Sequence, residues 1–280
     1  MSSPAPDNAR RKDTPAGPLS AAQVAAYHRD GYVVPDVRIP PATLERMRHS
    51  LDELLHNNPG VGTDYMVCPH VLAGGSQNLR GDNAWLDYSE IPEVLDCVAQ
   101  LIGADFALWG STVFGKPAGA GKEVPWHQDG EYWPIRPLAT CSAWIAIDAA
   151  TPANGCLRVL PGSHQAQTLF GHRIDERDDA ALNQVISDER IDTNAGQDIA
   201  LEPGQFSLHD IYLVHGSNAN RSTHRRAGYV CRYMPTTSVF DRDVAAELEK
   251  TSPGVDFVTR PLYLMRGEDR SGKNDFTIGR

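Results

Sequence analysis

The feature of this sequence that most restricts its fold is a succession of short apolar segments between residues 106 and 234. The segments are rich in β-branched and aromatic residues, and Gly or Pro residues stand between most of them. They cover residues 106–116, 139–147, 156–160, 199–201, 205–214 and 227–234. Segments of this length and composition predict β-strands. Because no long helical pattern alternates with them, they favour an antiparallel sandwich or barrel over an α/β fold.

Helical patterns lie ahead of the strands. Ser20 followed by Gln23 is a capping-box pattern, which predicts a short helix through residue 27 that ends before Gly31. Apolar residues recur at helical spacing in 41–57 and 92–102, which predicts two further helices. We therefore predict a mainly β fold with N-terminal helices.

Three stretches lack this regularity. Residues 59–85 predict a long loop, and 164–197 is polar with weak helical character around 178–186. Residues 1–18 are rich in Ser, Pro, Ala and charged residues, which predicts a disordered tail. We expect the remaining residues, 19–280, to form a single domain.

Charge and cysteine usage argue against several classes of protein. The formal net charge of −10 disfavours a surface for nucleic acid or anionic membranes, because such surfaces need a basic face. The five cysteines are odd in number, lack C-x-x-C spacing and lie mostly in apolar segments, so we expect reduced packing residues. The sequence contains no run of about 18 apolar residues, so it predicts no membrane-spanning helix. We expect a cytoplasmic protein of undetermined oligomeric state, with a small-molecule substrate as its partner.

A candidate metal motif lies in residues 124–133. His127 and Asp129 are two residues apart, and an extended backbone would turn both side chains to one face. They supply two of the three ligands in a facial triad of two histidines and one carboxylate. That triad suits non-haem Fe(II), because it leaves coordination positions open. The third ligand must come from farther along the chain, where His209 and His215 are rivals that share strand parity.

At this point the sequence resembles the phytanoyl-CoA dioxygenase family of Fe(II)- and 2-oxoglutarate-dependent oxygenases. The matching pieces are residues 127–129, 154–164, 215–217 and 226, within a region from about residue 19 to about residue 235. The resemblance implies a double-stranded β-helix, or jelly roll, packed against N-terminal helices. It also implies that His127, Asp129 and His215 ligate iron and are the catalytic residues.

The resemblance further implies a site for 2-oxoglutarate. Arg226 would hold the far carboxylate, since a guanidinium binds a carboxylate bidentately and stays charged when buried. Arg225 is the alternative, because adjacent strand residues point to opposite faces and only one can reach the site. Lys116 is a second candidate contact for 2-oxoglutarate, or else a surface lysine. With Fe(II) and O2, the implied reaction is hydroxylation of an unactivated C–H bond. Halogenation is not expected, because Asp129 fills the position that a halide needs.

The substrate is less restricted by the sequence. Tyr132 and Trp133 follow the pair of His127 and Asp129, and Arg80 lies near Trp85 in the long loop. We therefore expect this loop to close over the site. We also expect Tyr132, Trp133 and Arg80 to bind substrate. The mixture of charge and aromatic rings favours a small polar metabolite, such as an amino acid, an amine or an organophosphonate. A natural-product or acyl-CoA intermediate is the alternative. The non-oxygenase alternatives are a zinc hydrolase with the same ligands and a metal-free jelly-roll binding module.

Overall fold

The computed structural model describes residues 16–72, 76–251 and 256–278. Most of the predicted tail, residues 1–15, lies outside these ranges. Leu19 is buried, and its backbone exchanges two hydrogen bonds with the side-chain amide of Gln100, of 2.8 and 3.0 Å. The chain is therefore tied to the rest of the fold from this point onward.

Four helices precede the main strands. They are α1 (Ala21–Asp30), α2 (Pro41–Asn57), α3 (Ala84–Asp87) and α4 (Pro92–Ile102). The Ser20 hydroxyl accepts from the Gln23 backbone N–H, and the Gln23 side chain accepts from the Ser20 N–H, so the capping box begins α1. Gly31 ends α1 in the left-handed conformation, at φ 86°. The predictions of α1, α2 and α4 are confirmed.

The larger sheet has seven antiparallel strands. Their order is β1 (Tyr32–Val33), β11 (Phe206–Asp210), β6 (Cys141–Ala146), β13 (Arg226–Pro235), β3 (Phe106–Lys116) and β15 (Tyr263–Arg266), with β2 (Met66–Val67) paired to β3. Alternation along β13 assigns its two faces. Tyr229, Cys231 and Tyr233 belong to the apolar cluster that includes the helices, whereas Arg226 and Arg232 line a cavity on the opposite face.

The smaller sheet has four antiparallel strands. Their order is β10 (Gln197–Ile199), β7 (Leu157–Val159), β12 (His215–Ser217) and β4 (Val124–His127). An apolar cluster joins the two sheets, with Trp144 and Val230 from the larger and Val159 and Ile199 from the smaller. The two packed sheets form a double-stranded β-helix with N-terminal helices, so the predicted fold class is confirmed.

Two short antiparallel pairs complete the described strands. β8 (His172–Ile174) pairs with β9 (Gln184–Ile186), and β5 (Ile135–Arg136) pairs with β14 (Val239–Phe240). The weak helix predicted around 178–186 is wrong, because residues 184–186 are extended and Val185 pairs with Arg173. The hydrogen bonds of a strand come from a partner elsewhere in the chain, which a local pattern does not reveal.

The predicted loop of residues 59–85 contributes to the core at its end. Trp85 is fully buried in α3, and its ring centroid lies 4.9 Å from that of Tyr229. The Tyr229 hydroxyl donates to the Trp85 carbonyl at 2.7 Å. The expectation that the chain at Trp85 closes over the site is therefore wrong. All five cysteines are free and buried, as predicted.

Beyond residue 235, where the family resemblance ends, the chain adds α5 (Arg242–Thr251) and β15. α5 and the segment that follows bring Leu248, Phe257 and Arg260 to the cavity. No helix within the described ranges is long and apolar enough to cross a membrane.

Candidate active site

Two histidines and one carboxylate converge at the end of β4. His127 and His215 are direct cross-strand partners, and their ring centroids are 4.3 Å apart. Gln128 keeps an extended backbone (φ −119°, ψ 130°), which returns Asp129 to the side of His127. His127 Nε2 lies 3.5 Å from Asp129 Oδ1, and His215 Nε2 lies 3.9 Å from Asp129 Oδ2. One donor atom from each of the three residues lies within 4.8 Å of the other two.

Backbone carbonyls orient both imidazoles. His127 Nδ1–H donates to the Pro125 carbonyl at 2.8 Å, and His215 Nδ1–H donates to the Leu213 carbonyl at 2.9 Å. In both rings this bond leaves the Nε2 lone pair directed at Asp129. A hydrogen bond from the second ring nitrogen is the usual way in which proteins fix a metal-binding histidine.

The protonation states suit a cation. Burial, with His127 beside it, lowers the pKa of His215 to about 3, so this ring is neutral at pH 7. Burial alone would raise the pKa of Asp129, but the neighbouring His127, His215 and Arg232 favour the charged carboxylate and hold the pKa below its ordinary value. Only 11% of the Asp129 side-chain surface is exposed. The group therefore offers a neutral imidazole and an ionised carboxylate, the donors that a divalent ion needs.

His209 also faces the cavity, from β11 of the larger sheet. Its Nε2 lies 4.0 Å from Asp129 Oδ2, and burial lowers its pKa to about 4. Its Nδ1 is buried without a hydrogen-bond partner among the described residues. The backbone thus orients His215 toward Asp129 and leaves the rival His209 without such an anchor.

Gln128 holds the motif against the loop that follows β7. Its amide group donates to the carbonyls of Tyr212 at 2.7 Å and Thr168 at 3.1 Å, and its side-chain oxygen accepts from Phe170 N–H at 2.8 Å. Its backbone N–H donates to His172 Nε2 at 3.0 Å. This side chain points away from Asp129 and braces the strand, as the parity of β4 predicts.

Arg226 and Arg225 point to opposite sides of β13. Arg226 is buried, lines the cavity, donates from Nε to the Gly155 carbonyl at 3.1 Å and stacks on Trp144 at 5.3 Å. Within the described residues no carboxylate lies within 4 Å of its guanidinium. Arg225 instead pairs with Asp148 at 2.8 Å outside the cavity. Burial lowers the pKa of Arg226 to about 10, which leaves it charged at pH 7.

Lys116 is directly opposite Arg226 in the sheet, and its amino group is held by β12 and the residue that follows it. It donates to Ser217 Oγ at 2.6 Å and to the carbonyl of Asn218. Burial, followed by the charge of Arg226, lowers the pKa of Lys116 to about 6. Lys116 therefore holds β12 beyond His215, and its contact with 2-oxoglutarate stays a prediction.

The metal motif opens into a cavity of about 660 Å³. Tyr132 and Trp133, predicted to bind substrate, both line it. Arg80 does not, because its side chain is exposed and its backbone is held by Asn58 on the outside of the fold. The structure therefore brings Tyr132 and Trp133 to the cavity and leaves Arg80 outside it.

Among the residues that sequence reasoning missed are two buried arginines of the cavity, Arg232 and Arg260. Arg232 follows Arg226 by six residues on β13, and this even spacing is a signal that both face the same side. Arg260 lies beyond the recognised motifs, and no spacing connects it to the site.

Comparison with known proteins identifies relatives over most of the chain. The family model described as phytanoyl-CoA dioxygenase (PhyH) matches residues 27–228. A probable phytanoyl-CoA dioxygenase of Caenorhabditis elegans is 29% identical over 235 residues, which cover 77% of this chain and 75% of that protein. The ectoine dioxygenase of Halomonas elongata is 26% identical over 241 residues, covering 75% and 68% respectively.

The fold is shared with a solved structure of EctD from S. alaskensis that contains 2-oxoglutarate and 5-hydroxyectoine. The TM-score is 0.64 at 22% sequence identity, over 81% of this chain and 79% of that one. This similarity supports the assignment of the double-stranded β-helix fold.

Proposed function

The chain belongs to the phytanoyl-CoA dioxygenase family of Fe(II)- and 2-oxoglutarate-dependent oxygenases, and from this we propose a specific role for each site residue. The enzyme is accordingly a dioxygenase, with Fe(II) as its metal cofactor and with 2-oxoglutarate and O2 as its cosubstrates. His127, Asp129 and His215 hold the iron, and Arg226 holds the cosubstrate. A small polar metabolite is hydroxylated.

The orientation of the two imidazoles carries the metal assignment. Both Nε2 atoms point at Asp129 because the backbone holds both Nδ1 atoms, so the three donors are arranged before any ion binds. Bound iron supplies the oxygen chemistry of the family: 2-oxoglutarate and O2 become succinate and CO2, and the remaining oxygen atom converts a substrate C–H bond to C–OH. The protein residues position the reactants and limit the access of water.

Arg226 suits the far carboxylate of 2-oxoglutarate. It is a buried cation without a carboxylate partner in the described ranges, and a bidentate anion would satisfy its planar donors. Trp144 fixes the plane of the guanidinium from one side. The pairing of Arg225 with Asp148 on the other face of the strand supports Arg226 rather than Arg225 in this role.

A small polar substrate agrees with the composition of the cavity wall. Arg173, Glu131 and His172 line the cavity together with Tyr132 and Trp133, so charged groups alternate with aromatic surface. An amino acid, an amine or an organophosphonate fits such a wall. A natural-product or acyl-CoA intermediate is the alternative, and the name of the C. elegans relative favours the acyl-CoA.

Anaerobic addition of Fe(II) and 2-oxoglutarate tests the assignment. The wild type should develop the weak visible absorption band of iron chelated by a 2-oxo acid, and His215→Ala should not. His49→Ala is the matched control, because His49 is exposed on α2 and should leave the band unchanged. In air, a panel of amino acids, amines and organophosphonates should then show which class stimulates succinate release.

If the protein were a zinc hydrolase, the metal experiments should give the opposite results. It would retain Zn(II) tightly, develop no band with 2-oxoglutarate, and have no use for Arg226. That combination of results would replace the oxygenase assignment.

A further inference from the structure

Two buried arginines in the cavity have no anionic partner. Arg232 is 8% exposed and Arg260 is 6% exposed, and no carboxylate in the described ranges lies within 4 Å of either guanidinium. Arg232 donates to the neutral Thr112 hydroxyl at 2.7 Å, while its buried Nε has no partner among the same residues. Arg260 donates to the Ser76 hydroxyl at 3.3 Å. Burying a guanidinium without a countercharge is costly, so two such groups require an explanation.

The two guanidinium groups lie close together. Arg232 stacks over Trp133 at 5.3 Å and Arg260 lies over Trp109 at 5.8 Å, and the two indole rings are 4.4 Å apart. Gly110 is the cross-strand partner of Arg232, and a Cβ atom at Gly110 would lie 3.7 Å from Arg260 Nη1. Both cations therefore lie over the same part of the larger sheet, each over one of two adjacent indole rings.

This cationic pair belongs to the same cavity as the candidate metal residues. Arg232, Arg260 and Asp129 all line this cavity. The acidic side chains of the described cavity wall are Asp129 and Glu131, and Asp129 is assigned to iron. Arg226 is assigned to 2-oxoglutarate. In a protein with a net charge of −10, this part of the cavity is therefore cationic, and its cations have no protein carboxylate to neutralise them.

We infer that Arg232 and Arg260 form a clamp for an oxyanion on the substrate, either a carboxylate or a phosphonate. This inference rests on the proposed function, because it assigns the substrate of the same oxygenase site. Two guanidinium groups over neighbouring indole rings can both donate to one oxyanion, and a small anion can reach them where a bulky one cannot, because both are buried. The clamp fixes one end of the substrate so that a nearby C–H bond faces the metal.

The clamp narrows the substrate class. Amino acids and organophosphonates remain, whereas amines without an acidic group lack the feature that the two arginines would bind. An acyl-CoA, whose anionic groups are far from its acyl carbons, also places no oxyanion at this depth.

Calorimetric titration under anaerobic conditions tests the clamp. The probes are butyrate and propylphosphonate, compared with uncharged butyramide and cationic propylamine, added to protein loaded with Fe(II) and 2-oxoglutarate. The wild type should bind at least one of the two anions and neither of the others. The anion that binds more tightly identifies the natural oxyanion.

Variants assign that binding to the two residues. Arg232→Gln and Arg260→Gln should each weaken anion binding by at least about 30-fold, the lower end expected for losing a buried charged partner. Arg266→Gln is the matched control, because Arg266 pairs with Asp96 outside the cavity and should bind the anion as the wild type does. Arg232 lies within a central strand, whereas Arg260 lies outside both sheets, so Arg260→Gln tests the clamp without altering the barrel.

Two failures are distinguishable. If the visible band of the Fe(II)–2-oxoglutarate complex is absent in the wild type, the proposed function itself fails. If that band is present and anion affinity is the same in wild type, Arg232→Gln and Arg260→Gln, the clamp is refuted while the oxygenase assignment stands.

Discussion

Replacement of Arg226 separates 2-oxoglutarate binding from iron binding. Arg226 is 2% exposed and lines the cavity, and among the described residues its guanidinium makes one hydrogen bond, from Nε to a backbone carbonyl. Loss of one partner from a buried, hydrogen-bonded charge pair costs roughly 2–5 kcal/mol. At about 1.4 kcal/mol per tenfold, Arg226→Ala should weaken 2-oxoglutarate binding by about 30-fold to several thousand-fold.

Two further variants sharpen this prediction. Arg226→Lys should recover part of the lost affinity, because an ammonium keeps the charge but cannot reproduce the planar fork. Arg225→Ala should leave the affinity close to that of the wild type, because its guanidinium pairs with Asp148 on the other face of β13.

The assay is an anaerobic titration of 2-oxoglutarate into the Fe(II) protein, followed by the visible band. Iron affinity, measured separately by competition with a chelator, should be the same in all three variants, because neither arginine is a ligand. An unchanged 2-oxoglutarate affinity in Arg226→Ala would refute the assignment of the cosubstrate site. A large loss in Arg225→Ala instead would show that the two strand faces have been assigned the wrong way round.

Three more perturbations follow from the same contacts. His215→Ala should abolish iron binding and turnover, whereas His209→Ala should retain measurable iron binding in a metal titration; the reverse result would exchange the two residues. Burial lowers the pKa of His70 to about 3 from an ordinary value of about 6.5, so unfolding takes up a proton there and stability is lost as pH falls below about 6.5. In urea unfolding of the metal-free protein, the free energy of unfolding should fall less steeply with falling pH in His70→Asn than in the wild type, by up to about 1.4 kcal/mol per pH unit. Parallel pH profiles of the two proteins would contradict this prediction. Gly155→Ala should destabilise by about 1–3 kcal/mol, because Gly155 has φ 79° and its Cβ would collide with the Asn218 carbonyl; an unchanged melting temperature would count against it.

The clearest agreement between sequence and structure lies in features set by near neighbours in the chain. The capping box at Ser20 begins α1, and the apolar spacing of 41–57 and 92–102 marks α2 and α4. A helix makes its hydrogen bonds within its own segment, so its pattern is complete in the local sequence. The prediction of a weak helix around 178–186 was wrong because the backbone of residues 184–186 pairs with β8, which lies outside the local window.

The same distinction runs through the candidate site. The spacing of His127 and Asp129 by itself predicted two side chains on one face, and the adjacency of Arg225 and Arg226 predicted that only one faces inward. Parity is a property of the extended backbone, so it needs no knowledge of the partner strands.

Tertiary structure decided the rest. The sequence placed Lys116 near the site, but the groups that hold its amino group, the hydroxyl of Ser217 and the carbonyl of Asn218, come from a segment about 100 residues away. Arg80 remains outside, while Arg260 arrives from a segment with no recognisable motif. Parity left His209 and His215 equivalent, and the contact that distinguishes them is a hydrogen bond from one ring to the Leu213 carbonyl. Local sequence determines the direction in which a side chain leaves its backbone, but the groups it then meets are brought there by strands and loops distant in the chain.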